Sequence, residues 1–351
     1  MPMTPRERWL ALLAGERPDR IPTDYWATPE VTERLLRDLG CADRDALYDR
    51  LHIDGVDHVG APRTVHHHPD DPEADTWGIR WRTVEYAGGA YQEPVNHPLA
   101  EVRTVEEVHA FKWPKAEDRD FDAFRAHVAR LSGRRGVVCG SYEPFLLYCQ
   151  MRGMEQAMMD LLVEPEIADA VLGRLFDYHY RLNERMFEIG RGKVDLTYVA
   201  EDLGSQTGLL MSLETIRRFI LPNQKRMADL ARSHGIHIFY HTDGAAREAI
   251  PDLLAVTGIE ILNPIQWRCP GMDCGGLVRD FGKRLVFHGA VDNQQTLPFG
   301  TPGDVRREVL DHIRTFAPAR WICAPCHNIQ AVSPTENIVA MYETVYEHGR
   351  L

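Results

Sequence analysis

From residue 136 onward, short apolar runs alternate with longer stretches whose apolar residues recur every three or four positions. The first pattern suits a strand buried on both faces, the second an amphipathic helix. Six such pairs follow one another. Strands are expected at "GVVCGS" (136–141), "VDLTYVAED" (194–202), "HIFYHTDG" (237–244), "GIEILNPI" (258–265), "RLVFHGAVD" (284–292) and "RWICAPC" (320–326). Helices are expected over 148–162, 165–190, 212–235, 246–257, 272–281, 302–317 and 334–348. Pro222 should kink or split the helix it falls in, because it lacks an amide hydrogen. Thr4-Pro5-Arg6-Glu7, Thr104-Val105-Glu106-Glu107 and Ser333-Pro334-Thr335-Glu336 each place a hydroxyl three residues before a Glu, the signature of a helix start.

Strands alternating with helices imply parallel strands joined by crossover helices. The two closures are an eight-stranded barrel and a doubly wound sheet. No G-x-G-x-x-G follows the first strands, so a dinucleotide-binding sheet would lack its phosphate loop. The expected fold is therefore α/β, a single (β/α)8 TIM barrel spanning 1–351 with an N-terminal extension. Its early strands are expected near "RIPTDY" (20–25) and "HIDGVDHVG" (52–60). Residues 62–100 are rich in Pro, Asp, His and Trp and read as an inserted loop region, not a separate domain.

Composition narrows the function. The 351 residues are 44% hydrophobic and 26% charged, ordinary for a soluble globular protein. No run approaches the ~20 apolar residues of a membrane helix. The apolar part of "MPMTPRERWLALLAGERPDR" is too short and too charged for a secretory signal, so the expected location is the cytoplasm. The net charge of -12, from 52 acids against 40 bases, disfavours nucleic acid and anionic membranes as partners. The seven cysteines are expected as free thiols. "CAPCHNIQ" (323–330) contains C-x-x-C-H, but haem c is attached outside the cytoplasm and no second C-x-x-C completes a zinc ribbon. It reads instead as the loop after a barrel strand.

In parallel barrels the site lies at the C-terminal strand ends. Every expected strand turns from apolar to reactive there. Asp202, Glu143, Asp292 and His327 are the candidate acids, bases and proton carriers. Tyr142, Gln206, Asn263, Gln266, His288, Gln294 and Asn328 are candidate substrate contacts. Each alone reads as a loop cap or a hydrogen-bonded core group; their convergence argues for a functional rim. "HTDG" (241–244) is the sharpest piece, since residues i and i+2 of a strand share a side and His241 and Asp243 would project together. With His327 or Cys326 they could hold zinc. Without metal, Asp243 would simply orient His241. "HHH" (66–68) reads as a solvated loop.

"GERPDRIP", "DTWGIRW", "GMEQAMMDLLVEPE", "EDLGSQTGLLMS", "HTDG", "IPDLLAVTGIEILNPIQ", "FHGAVDNQQTLPFGTPGDV" and "CHNIQAVSPTENIVAMYE", in this order, resemble the uroporphyrinogen decarboxylase superfamily over nearly the whole chain. The resemblance implies one (β/α)8 barrel with its cleft at the rim. It also implies one of two activities: cofactor-free decarboxylation, or zinc-dependent methyl transfer between a corrinoid protein and an acceptor. Decarboxylases of the superfamily carry an Arg-rich segment where this chain has "PTDYWATPEV" (22–31), which has no arginine. The methyltransferases carry His-x-Cys-Gly at "HTDG" and a second Cys where His327 falls, beside Cys326. The resemblance thus implies zinc on His241, Asp243 and His327 or Cys326, with harder donors replacing thiolates.

The expectation is a zinc-assisted methyltransferase acting on a small molecule, with a corrinoid protein as partner and a homodimer as an open alternative to the monomer. The alternatives are a cofactor-free decarboxylase and a non-catalytic barrel binding a tetrapyrrole or metal.

Overall fold

A computed structural model describes residues 2–86 and 89–351. Its strands are β1 (Val56–Val59), β2 (Trp81–Tyr86), β3 (Gly89–Pro94), β4 (Gly136–Cys139), β5 (Leu196–Tyr198), β6 (His237–His241), β7 (Ile261–Asn263), β8 (Val286–Val291) and β9 (Arg320–Pro325). Seven of them form a curled parallel sheet in the order β1-β4-β5-β6-β7-β8-β9. Chain order and spatial order agree, as right-handed crossover units require when a sheet winds one way. All residues of β4 and β8 are buried, which explains their unbroken apolar runs.

The expected closed eight-stranded barrel needs correction. Regular pairing stops at β1 and β9. The segment 20–25, expected as a strand, contributes only isolated bridges. Asp24 N donates to Cys323 O at 2.9 Å, Cys323 N donates to Pro22 O at 2.9 Å, and Gly55 N donates to Thr23 O at 2.9 Å. The physical reason is local. Pro22 has no N–H to offer a ladder, and Thr23 N is taken by the Asp54 carboxylate at 2.9 Å. The result is a TIM-barrel-like half-barrel with an irregular segment bonded to Cys323 on one side and to 54–55 on the other.

Two apolar layers hold the sheet. Inside the curl, Val56, Val138, Leu196, Phe239, Ile261, Val286 and Ile322 supply one side chain from each of the seven strands. Trp9 and Leu12, on the first helix Pro5–Leu13, join this layer. Outside, the helices bury their apolar stripes on the sheet's other face.

The helix expectations hold with local changes. Thr4 and Thr104 form full capping boxes with Glu7 and Glu107. Ser333 does not cap: the last helix, Thr335–His348, starts after Pro334, and the Ser333 hydroxyl is buried without a partner. The helix with Pro222 is divided into Leu213–Thr215, a π-helical turn Ile216–Ile220, and Leu221–Ser233. The wider turn absorbs the hydrogen bond proline cannot make. The inserted region contains an antiparallel hairpin, β2 with β3, in register from Trp81↔Pro94 to Tyr86↔Gly89. Its Tyr86 hydroxyl donates to Gln330 Oε1 at 2.9 Å, which ties the hairpin to the loop after β9. Among the described residues no helix is long and apolar enough to cross a membrane.

Candidate functional site

The loops after β5 and β6 meet backbone to backbone. A Cβ on Gly204 would stand 2.5 Å from Asp243 O, and one on Gly244 would stand 2.4 Å from Ser205 O. Gly244 also has φ +73°, a conformation side chains resist. Only glycine permits this approach. It lets Ala245 N donate to Ser205 O at 2.8 Å and Asp243 N donate to Asp202 Oδ1 at 3.0 Å. Asp202, His241 and Asp243 consequently each present one donor atom within 4.8 Å of the others. His241 Nε2 lies 3.7 Å from Asp202 Oδ1 and 3.8 Å from Asp243 Oδ1.

A hydrogen-bonded chain behind the group orients His241. The Asp24 carboxylate can only accept, so His288 Nε2–H donates to its Oδ2 at 2.9 Å. His288 Nδ1 then accepts from Asn263 Nδ2 at 2.7 Å. That turns Asn263 Oδ1 toward His241, whose Nδ1–H donates to it at 2.6 Å. The lone pair of His241 is left on Nε2, facing the two carboxylates. An imidazole whose other nitrogen is fixed by an outer partner is the usual arrangement for a metal ligand.

The carboxyls feel their burial. Burial pushes the Glu143 carboxyl up to about 7; Asp202 and Asp243 push the same way and His241 opposes. Burial also raises Asp243, against the pull of His241 and His327. Asp243 Oδ1 is buried without a hydrogen-bond partner, an oxygen a cation would satisfy. One imidazole lone pair and two carboxylate oxygens suit zinc or another borderline-to-hard divalent cation, so the residues present fit the group.

His327 reaches this group through one contact, its Nε2 lying 3.6 Å from Asp243 Oδ2. The rings of His241 and His327 are 6.4 Å apart, and both lie against Trp26, at 5.5 and 4.8 Å between centroids. His327 Nδ1 pairs with Asn328 Oδ1. Cys326 is turned elsewhere. Its thiol donates to Ile265 O at 3.1 Å, and burial pushes its pKa well above the ordinary value. The three-residue group is therefore Asp202, His241 and Asp243, in place of the expected His241, Asp243 and His327 or Cys326.

The remaining rim residues divide by location. Asn263 and His288 belong to the chain behind His241. Gln266 Oε1 accepts from Gly244 N at 2.6 Å and braces the β6 loop. Gln206 Oε1 accepts from the Cys269 thiol at 3.7 Å. Asp292 accepts from Arg268 Nε at 2.6 Å and from the amides of Gln294, Gln295 and Thr296 at 2.9–3.1 Å, so its oxygens are committed to a turn. Gln294 is exposed on that turn. Tyr142 is buried edge-on to Phe176 and His179. Asp24 and Trp26 were not anticipated, and Glu201 stood at an expected strand end without a role. Asp24 and Trp26 end the segment 20–25 or follow it, so the strand-end rule would have found them had it been applied there. Glu201 is fully buried and accepts from Phe145 N and Leu146 N at 2.7 and 3.2 Å, at the start of the helix Pro144–Arg152.

Comparison with solved structures finds the same fold in a methyltransferase from Methanosarcina mazei, with a TM-score of 0.72 and 17% identity over 98% of this chain and 99% of that one. A B12-independent methionine synthase from Shewanella sp. W3-18-1, in complex with selenomethionine, matches at a TM-score of 0.44 and 10% identity, over 93% of this chain and 98% of that one. A search of curated protein sequences finds no match. The sequence profile of the uroporphyrinogen decarboxylase family matches residues 73–348. With most of its length inside that match, the chain belongs to the uroporphyrinogen decarboxylase (URO-D) family.

Proposed function

We propose that this URO-D family member is a metal-assisted methyltransferase, with Asp202, His241 and Asp243 holding zinc and His327 beside them. One observation carries the reading: an oriented imidazole lone pair and two carboxylates converge within 4.8 Å, one carboxylate oxygen lacking any other partner. The fold shared with a methyltransferase supports it. Bound there, zinc would act as a Lewis acid on a heteroatom of the methyl donor or acceptor. The absence of thiolate ligands favours an oxygen-bearing group over a thiol. Asn263 holds the imidazole in place. Trp26 packs against both rim histidines and helps to position their rings. Glu143, with its carboxyl near 7, can hold or give a proton at neutral pH. A corrinoid protein is the proposed partner at the rim, and the whole chain 1–351 the catalytic unit.

The test is metal analysis of protein purified without added metal. The expected result is one zinc per chain, lost in His241→Ala, and, in the wild type, loss of the cobalt–methyl absorbance when a methylated corrinoid is supplied as donor with an alcohol or carboxylate as methyl acceptor. A folded, metal-free protein inert toward that donor would overturn the proposal. It would favour a second reading, supported by the same Glu143: a carboxy-lyase in which the neutral carboxyl protonates the carbon that CO2 has left.

A further inference from the structure

At the C-terminal ends of β1, β4 and β5 lies a second cavity, of about 400 Å³. That is room for a small ligand or part of a larger one. Its charged lining is Arg63 and Arg119, without a carboxylate; burial lowers His58 and His179, the latter to about 4, and keeps both neutral. This is unexpected in a chain with 52 acids and 40 bases. Nor does either arginine form an ion pair elsewhere among the described residues. Arg119 donates to Ala61 O at 3.0 Å and to the Tyr178 hydroxyl at 3.1 and 2.7 Å. Arg63 donates to the Thr76 hydroxyl. These acceptors are neutral, and only Asp75, outside the cavity lining, partly offsets the charge of Arg63.

The main chain holds the two arginines side by side. Arg63 and Arg119 form an antiparallel bridge, flanked by Thr64 N donating to Asp118 O at 3.1 Å and Asp120 N donating to Pro62 O at 2.8 Å. Burial lowers the Arg63 pKa, and the nearby Arg119 lowers it further. Two like charges kept together in a partly buried place cost stability unless an anion joins them.

We propose that this cavity is an oxyanion subsite that takes the carboxylate or phosphate end of a small substrate. Planar guanidinium groups match both oxyanions in bidentate fashion. The placement of the substrate's other end rests on the metal-centre reading above. One loop walls both places: Ser141 lines the cavity, and Glu143, two residues on, feels the charges of His241, Asp202 and Asp243.

Calorimetric titration with inorganic phosphate and with succinate tests the subsite. Both probes go to the wild type, Arg63→Gln, Ser141→Asp and His241→Ala. Ser141 is exposed, so its substitution sets a carboxylate in the cavity mouth while the arginines and the fold remain. The expected result is binding of at least one probe, about tenfold weaker or worse in Arg63→Gln and Ser141→Asp, and unchanged in His241→Ala. The tighter probe identifies the natural group. No binding to the wild type overturns the proposal. So does binding that survives Ser141→Asp and vanishes in His241→Ala, which would place the anion on the metal. Anion binding in a wild type without zinc would sink the metal reading and leave the subsite standing.

Discussion

Asn263 Oδ1 stands 2.6 Å from His241 Nδ1, and this contact sets which imidazole nitrogen faces Asp202 and Asp243. Asn263→Ala removes it and strands a donor, Nδ1–H, on His241 and an acceptor, Nδ1, on His288. The outer partners of metal-bound histidines are typically worth 10–100-fold in affinity. Zinc affinity, measured by competition with a chelator, is expected to fall by about that factor while far-ultraviolet circular dichroism stays unchanged. Undiminished affinity would mean that His241 is held by something else.

Cys326 is adjacent to His327 in sequence, yet its thiol is buried against Ile265 O and resists ionisation. Only a thiolate is a good zinc ligand. Cys326→Ala is therefore expected to keep the zinc content of the wild type, whereas Asp243→Ala loses it. The opposite pair of results would move the ligand set to the loop after β9.

Glu143 links stability to pH. Its ordinary value of 4.5 describes the unfolded chain, and about 7 the folded one. The folded state holds the proton longer, so this contribution is fully present below pH 4.5 and fades as pH rises through 7. Glu143→Gln cannot ionise. Relative to the wild type it should gain stability between pH 5 and pH 8, by up to about 3 kcal/mol at 1.36 kcal/mol per unit. Urea denaturation at both pH values, with chelator present, measures the difference. Equal differences at both would show that Glu143 is solvated.

Asp160 anchors a buried network. It accepts from Arg152 Nε at 2.7 Å and from the Tyr148 hydroxyl at 2.5 Å. Arg152 in turn donates to Leu99 O and Val102 O at 2.5 and 2.7 Å, tying the end of the inserted region to the helix Pro144–Arg152. Both charged side chains are almost completely buried. Asp160→Ala would leave a buried guanidinium unpaired, at a cost of about 3–5 kcal/mol. A loss of less than about 1 kcal/mol in the unfolding free energy from urea denaturation would show that water reaches Arg152.

The six later strands and most helices could be read from the sequence because each depends on a local pattern along a continuous segment, an unbroken apolar run for the strands and a 3.6-residue period for the helices. The strand ends could be read less well. The run 194–202 shortens to Leu196–Tyr198, although the backbone beyond Tyr198 continues to bond to β6, Val199 N donating to Phe239 O at 3.1 Å and Glu201 N to His241 O at 3.0 Å. The 20–25 segment has the composition of a strand but a proline and a side-chain competitor at the ladder positions. Ser333 has the sequence of a cap, but Pro334 precedes the helix and Ser333 is packed inside.

His241 and Asp243 could be singled out because they stand two residues apart at the end of an expected strand, although β6 stops at His241 and Asp243 is fixed by its amide on Asp202. The third member of the group, Asp202, was singled out as an acid–base candidate and not as a partner of Asp243. Its nearness to Asp243 depends on Gly204 and Gly244 letting two loops touch, 40 residues apart in sequence. The order of strands, the polar rim and the pair on "HTDG" thus follow from neighbours along the chain. Which carboxylate faces which nitrogen, that Cys326 points away, and that Arg63 and Arg119 share a cavity without an acid all follow from packing between segments far apart in sequence. Periodicity carries no information about such contacts, because they are set by loop ends a few ångströms wide rather than by the repeat of the elements they join.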